Sequence, residues 1–215
     1  PEMAEEKNRR NEMKRFGKRV NRGLVLAAVI LIGLIVFIQV DQYQFKNSKP
    51  EIEQMTRDYL GKVKQNNTME PEECVKETKL LLTQYWGEKN GITMGITRNS
   101  MENYLESVNA DENGKLDEYI DRIESIEVKK NGPGAASVKV EYEVTLKGSE
   151  RVSSYRIYGV ETNWYGYGGT GTEDTSESRR YEITIQLAQK NDGWKITSID
   201  SSYETVESTT EQQES

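Results

Sequence analysis

An acidic run near the middle of the chain contains the residue type that general acid–base chemistry uses most often after histidine. The run consists of Asp111, Glu112, Asp117, Glu118, Asp121 and Glu124. Such chemistry needs two carboxyl groups that converge in a partly dry pocket, where their pKa values are pushed apart. Spacing along the chain does not bring any two of them together. We therefore predict a solvated acidic face, and the segment also lacks the alternating ligands of a calcium-binding EF-hand.

The residue types that are absent restrict the chemistry further. The 215 residues include no histidine and one cysteine, Cys74. Ser-His-Asp and Cys-His arrangements are excluded, and so are the usual structural zinc sites. A single cysteine also excludes an internal disulfide. Catalysis by carboxylates alone stays possible, but much of enzyme chemistry is removed, and we predict a protein that is not an enzyme and that has no cofactor and no metal site.

A glycine-rich aromatic segment over 159–171 is the strongest candidate for a contact with another protein. Its candidate contact residues are Tyr158, Trp164, Tyr165 and Tyr167. Aromatic side chains are enriched at protein interfaces, whereas the lysine and hydroxyl residues of a phosphate-binding loop are missing here. The alternative is a long hairpin tip whose aromatic rings fold back over a sheet.

An apolar run from Leu24 to Val40 contains no charged residue. Its 17 residues would extend about 26 Å as a helix, which is just enough to cross the hydrocarbon core of a bilayer. We predict a retained single-pass transmembrane helix over 23–40, and a cleaved signal peptide is the alternative.

The preceding segment 1–22 contains a basic cluster made of Lys14, Arg15, Lys18, Arg19 and Arg22. Positive charge stays on the cytoplasmic side, so we expect a cytoplasmic N-terminus and an extracytoplasmic C-terminal domain in the cell membrane.

The residues after the apolar run are predicted to begin with a polar linker over 41–49. Ser48 and Glu51 have the spacing of a capping box, and Pro50 suits a first helical turn. A helix is therefore predicted from Pro50. The extracytoplasmic domain is predicted to extend over 50–200 and to be followed by a disordered acidic tail over 201–215.

Further helices are predicted before the apolar period changes. The predicted starts are Pro71 for a second helix, Asn99 or Ser100 for a third, and Leu116 for one or two turns that include Tyr119, Ile120 and Ile123. Cys74 lies on the apolar stripe of the second helix, so we predict a buried structural thiol.

Alternating apolar residues predict a sheet in the last part of the chain. Strands are predicted from Ile126, over 138–146, 152–160 and 181–187, and from Trp194, with turns at Asn131–Gly134 and Asn191–Gly193. Helices followed by antiparallel strands indicate an α+β fold in which the helices pack on the inner face of a curved sheet.

This order of elements, with the segment Asp192–Ile196 (DGWKI) near its end, resembles a known family. The family comprises the single-pass, nuclear-transport-factor-2-like channel subunits of type IV secretion and conjugation systems. The resemblance implies a cone-shaped (cystatin-like) domain that oligomerises and holds a channel together without catalysis. The missing disulfides would suit the Gram-positive members.

The sequence thus predicts a non-enzymatic membrane-anchored scaffold whose partners are the membrane, further copies of itself and other channel subunits. The 36 acidic residues outnumber the 29 basic ones, so no direct contact of the outer domain with nucleic acid is expected. Two alternatives are a scaffold for cell-wall synthesis, division or sporulation, and a small-ligand binder or carboxylate enzyme. The last needs an open polar interior, whereas a scaffold predicts one filled by Leu81, Tyr85 and Trp194.

Overall fold

The computed structural model describes residues 22–88, 95–107, 118–148 and 175–205. These residues form three helices, α1 (Arg22–Asn67), α2 (Pro71–Tyr85) and α3 (Arg98–Ser107). They also form four strands, β1 (Glu118–Gly132), β2 (Ala135–Gly148), β3 (Thr175–Lys190) and β4 (Gly193–Thr205). The chain divides into two compact units, Pro1–Ser48 and Lys49–Ser215.

The first part of α1 exposes apolar side chains on every face. Each leucine, isoleucine, valine and phenylalanine from Leu24 to Val40 is 46–68% exposed. A core helix of a soluble protein would bury one face of such a segment. Among the described residues, α1 is the one helix that is long and apolar enough to cross a membrane.

The segment predicted as a linker, 41–49, is helical, because α1 continues through it without a break. The segment contains neither glycine nor proline, and residues such as Gln and Lys are good helix formers. Pro50 lies inside the helix instead of starting it. Its ring removes one backbone hydrogen bond, which the turns on both sides of it tolerate. The capping-box spacing of Ser48 and Glu51 therefore does not mark a helix start here.

The last part of α1 contributes one stripe of side chains to the core of the second unit. Ile52, Tyr59, Leu60 and Val63 are at most 3% exposed, and their spacing places them on one helix face. The predicted helices α2 and α3 are confirmed. Cys74 is fully buried, as predicted.

The four strands form one antiparallel sheet in the order β1-β2-β3-β4. Its inner face is apolar and includes Val138, Val140 and Tyr142 on β2, and Tyr181, Ile183 and Ile185 on β3. The α+β class and the antiparallel sheet are confirmed, and so are the two predicted turns. Gly134 has a φ of 61° and Gly193 a φ of 112°, values that favour glycine.

The helical turns predicted around Tyr119, Ile120 and Ile123 are wrong, because β1 begins at Glu118. A bulge interrupts the register with β2 between Ile123 and Ser125. Ile123 and Ile126 both pair with inner-face residues of β2 although they are three positions apart. A bulge adds one residue to a strand, so apolar positions on either side of it imitate helical spacing.

The segments next to α2 and α3 cover part of the free edge of β4. The Gly87 N–H donates to the Ile196 carbonyl at 2.8 Å, and Ile96 and Ile199 exchange backbone hydrogen bonds of 2.8 and 3.0 Å. β4 extends to Thr205, so the predicted disordered tail is wrong for residues 201–205, which pair with β3. Residues 206–215 lie outside the described residues.

Gly95→Ala is expected to destabilise the second unit by about 1–3 kcal/mol, which is typical of overpacking. A Cβ atom at Gly95 would lie 2.5 Å from the carbonyl oxygen of Ile199 and would also overlap the Asp200 carboxylate. Gly61→Ala is the matched control. Gly61 is an exposed helical position with nothing within 4 Å of an added Cβ, so alanine should stabilise by up to about 1 kcal/mol. Thermal unfolding of the detergent-solubilised chain measures both, and equal midpoints for the two variants would contradict this packing.

Lys195→Met is expected to raise the pKa of Asp192 towards 3.8. The Lys195 ammonium donates to the Gln84 carbonyl at 2.9 Å, in the last turn of α2, and lies 2.9 Å from the Asp192 carboxylate. The hydrogen bond from Lys195 is the main reason that the pKa of Asp192 lies below 3.8. Its stabilisation is therefore present above pH 3.8 and is lost as the pH falls through the folded-state pKa.

Carboxyl-carbon NMR of the full chain measures this pKa directly, and Lys190→Met serves as the control. Lys190 is exposed near the same turn, and its replacement should leave the Asp192 titration unchanged. An unchanged Asp192 pKa in Lys195→Met would show that the contact does not persist in solution.

Candidate interaction surface

Aromatic side chains from the helices and the sheet occupy the described interior of the second unit. The indole N–H of Trp86 donates to the hydroxyl oxygen of Tyr59 at 3.2 Å. The ring of Tyr59 also meets the ring of Tyr85 edge-on at 5.6 Å. On the sheet, Tyr142 and Tyr181 pack with ring centroids 5.5 Å apart. This part of the interior is an aromatic core.

Of the three side chains predicted to fill the interior, two are buried and one is only partly buried. Leu81 is 4% and Trp194 7% exposed, and Tyr85 is partly buried. Burial raises the pKa of the Tyr85 hydroxyl above 10.0, and the nearby Asp58 carboxylate raises it further. Tyr85 is therefore neutral at physiological pH and acts as a packing residue. Within the described ranges, no group of three or more Asp, Glu or Cys side chains is arranged to hold a metal ion.

The outer face of the sheet carries a row of alternating charges across all four strands. The register places Arg122, Glu143, Arg180 and Glu204 in line on β1, β2, β3 and β4. Arg122 lies 2.8 Å from Glu143. Glu124, at the bulge of β1, lies 3.2 Å from Arg122 and 3.7 Å from Arg180. Opposite charges on neighbouring strands stabilise a sheet modestly, and here they also fix the side chains in place.

A second feature of this face is a like-charged pair, Glu141 on β2 opposite Glu182 on β3. Lys139 lies 3.4 Å from Glu141 and 3.0 Å from Glu182. The hydrogen bond to Glu182, followed by that to Glu141, raises the pKa of Lys139 above 10.5. The ammonium therefore stays charged and offsets the repulsion between the carboxylates. The pair borders a shallow depression of about 300 Å³, which Ser202 also lines.

Asp121 and Glu124 of the acidic run do not converge on one site. Asp121 is 14% exposed and binds the Lys64 ammonium at 2.7 Å, which joins β1 to the last turn of α1. Glu124 binds arginines on the outer face instead. Asp111, Glu112 and Asp117 lie outside the described residues. These two carboxylates act as ion-pair partners and form no acid–base pair.

The four predicted contact residues, and most of the basic residues predicted to determine topology, fall outside the described ranges. These are Tyr158, Trp164, Tyr165 and Tyr167 of the aromatic segment, and Lys14, Arg15, Lys18 and Arg19 of the basic cluster. Arg22 is the first described residue of α1. Sequence reasoning missed the charged row on the sheet, because it depends on the strand register and on β1, which had been predicted as helical in part.

Tyr59→Phe is expected to destabilise the second unit by about 1–3 kcal/mol. The substitution keeps the ring but leaves the buried indole N–H of Trp86 without its acceptor, and an unsatisfied buried donor costs about that much. Tyr85→Phe is the matched control, because it removes a hydroxyl from the neighbouring, partly exposed ring. Its cost should stay below about 1 kcal/mol. Chemical denaturation followed by tryptophan fluorescence measures both free energies of unfolding. Equal costs for the two variants would contradict a contribution of this hydrogen bond to stability.

Comparison with known proteins leaves the family unassigned. No family model and no curated protein matches the sequence. Among solved structures, the chain is similar to a Xanthomonas campestris protein assigned as a calcium/calmodulin dependent protein kinase II association domain. The identity is 14%, the match covers 72% of this chain and 86% of the other, and the TM-score is 0.36. A superposition at this level supports no argument about function.

Proposed function

We propose that the protein is a non-enzymatic, membrane-anchored scaffold subunit that acts through protein–protein contacts of its second unit. The main support for the proposal is the change in side-chain exposure along α1. One continuous helix is exposed and apolar from Leu24 to Val40, and it supplies core residues such as Ile52 and Tyr59 further along. Exposing this apolar area to water is unfavourable, whereas the hydrocarbon of a bilayer accommodates it.

Two features of the second unit support a binding role over catalysis. Tyr59, Trp86, Tyr142 and Tyr181 fill the described interior, where enzymes of such folds would place polar catalytic groups. On the sheet, the neighbouring carboxylates Glu141 and Glu182 lie on the outer face, where both pair with Lys139, and not among the aromatic side chains of the interior. The surface is therefore the part of the domain that is suited to recognition.

The machine that we propose is the channel of a conjugative or type IV secretion system. This step rests on the resemblance in element order, from a basic segment and an apolar helix to a terminal antiparallel meander. The basic cluster that precedes the span supports a cytoplasmic N-terminus. The proposed partners are further copies of the chain and other channel subunits, with the aromatic segment around Trp164 and Tyr165 as the proposed contact.

Crosslinking in native membranes, followed by affinity capture of the tagged full chain and mass spectrometry, tests the proposal. We expect crosslinks to a second copy and to a channel subunit or coupling ATPase. Recovery of cell-wall synthases or division proteins in their place would contradict the assignment to a transfer channel. Release of the uncrosslinked chain by alkaline carbonate would contradict the membrane anchor.

A double variant of the aromatic segment, Trp164→Ala with Tyr165→Ala, should reduce these crosslinks several-fold, because interface aromatics contribute a large share of binding energy. Leu80→Ala is the control. Leu80 is 54% exposed on α2, so its truncation removes surface apolar area at a position with no proposed contact. Equal crosslink yields for the two variants would exclude the segment as the contact.

A further inference from the structure

One face of α1 changes in polarity immediately after the apolar run. Gln39, Tyr43 and Lys46 are spaced by four and three residues, so they lie on one side of the helix. Tyr43 is 68% exposed, the same fraction as Leu24 inside the run. Lys46 is also exposed, and no described carboxylate pairs with it. An amide, an aromatic ring and a cation therefore follow one another along a continuous exposed face.

This order matches the polarity profile of half a bilayer. If the hydrocarbon ends near Val40, a rise of about 1.5 Å per residue puts Tyr43 about 4–5 Å and Lys46 about 9 Å beyond it. The headgroup layer on each side of the hydrocarbon is about 5–7 Å thick. The Tyr43 ring thus reaches the level of the lipid ester groups. The long stem of Lys46 can lean back, so its ammonium reaches the phosphates.

We propose that Tyr43 and Lys46 form a phospholipid-binding contact on the leaflet at the C-terminal end of the span. The tyrosine hydroxyl donates to an ester or phosphate oxygen, and the lysine ammonium pairs with a phosphate. The occupant is the bilayer itself, because this face continues the lipid-facing surface of the apolar run. The added positive charge gives anionic phospholipid a preference over zwitterionic phospholipid at this position. The proposal rests on the membrane anchor proposed above.

Tyr43→Trp in the full chain, reconstituted into phosphatidylcholine vesicles, tests the depth of this contact. Lipids brominated near the ester groups should quench the added tryptophan more than lipids brominated deep in the acyl chain, after subtraction of the unsubstituted chain. Leu31→Trp is the control, because Leu31 lies in the middle of the apolar run and is 59% exposed, so the deep label should quench it more strongly. Stronger quenching of Tyr43→Trp by the deep label would overturn the proposed depth, as would no quenching in vesicles that retain the chain after carbonate treatment.

Lys46→Gln in the Tyr43→Trp background tests the charge. Quenching by brominated phosphatidylglycerol in phosphatidylcholine, compared with the reverse mixture, gives the relative affinity of the two lipids next to residue 43. We expect the preference for phosphatidylglycerol to fall about five-fold, the effect of roughly 1 kcal/mol for one basic residue near an anionic surface. Lys46→Arg, which keeps the positive charge, should leave it unchanged. An unchanged preference in Lys46→Gln would overturn the proposed phosphate contact.

Discussion

The structure depends on one continuous helix whose two parts differ in polarity. From Leu24 to Val40 every large apolar side chain of α1 is exposed, whereas from Ile52 onwards one face is buried and the other is polar. The change occurs without a break in the helix, because a helix makes its backbone hydrogen bonds within its own segment, whatever surrounds its side chains. The side chains of the helix change from apolar to mixed, and its secondary structure does not change. The same helix therefore combines a segment that is long and apolar enough to cross a membrane with core residues of the second unit.

The second unit is organised around the packing of helical aromatics against a four-stranded sheet, and its edges limit how it can associate. Trp86 and Ile96 pair with part of the β4 edge. The opposite edge, β1, pairs only with β2 among the described strands. Its bulge near Glu124 and its partly buried Asp121 are features that discourage strand addition by another chain. Association through side-chain surfaces is therefore favoured over extension of the sheet.

The sequence was informative where a local pattern decides the structure. The alternation on β2 and β3, the turns, and the buried position of Cys74 follow from side-chain period and turn chemistry. It failed where a local signal has two meanings. Ser48 and Glu51 satisfy a capping box inside a continuous helix, and the bulge in β1 gives Ile123 and Ile126 helical spacing. The charged row could not be predicted from the sequence for a different reason. Its residues are neighbours only in the register of the four paired strands.

The electrostatics of the outer sheet face constrain how it could take part in binding. Arg122, Glu143 and Lys139 already have partners within the chain, so a charged partner would have to replace existing ion pairs with new ones. Exchange of one set of solvated pairs for another yields little net free energy, because each exposed pair contributes at most about 1 kcal/mol. Charge on this face therefore sets orientation and excludes unsuitable partners, while affinity must come from apolar and aromatic surface.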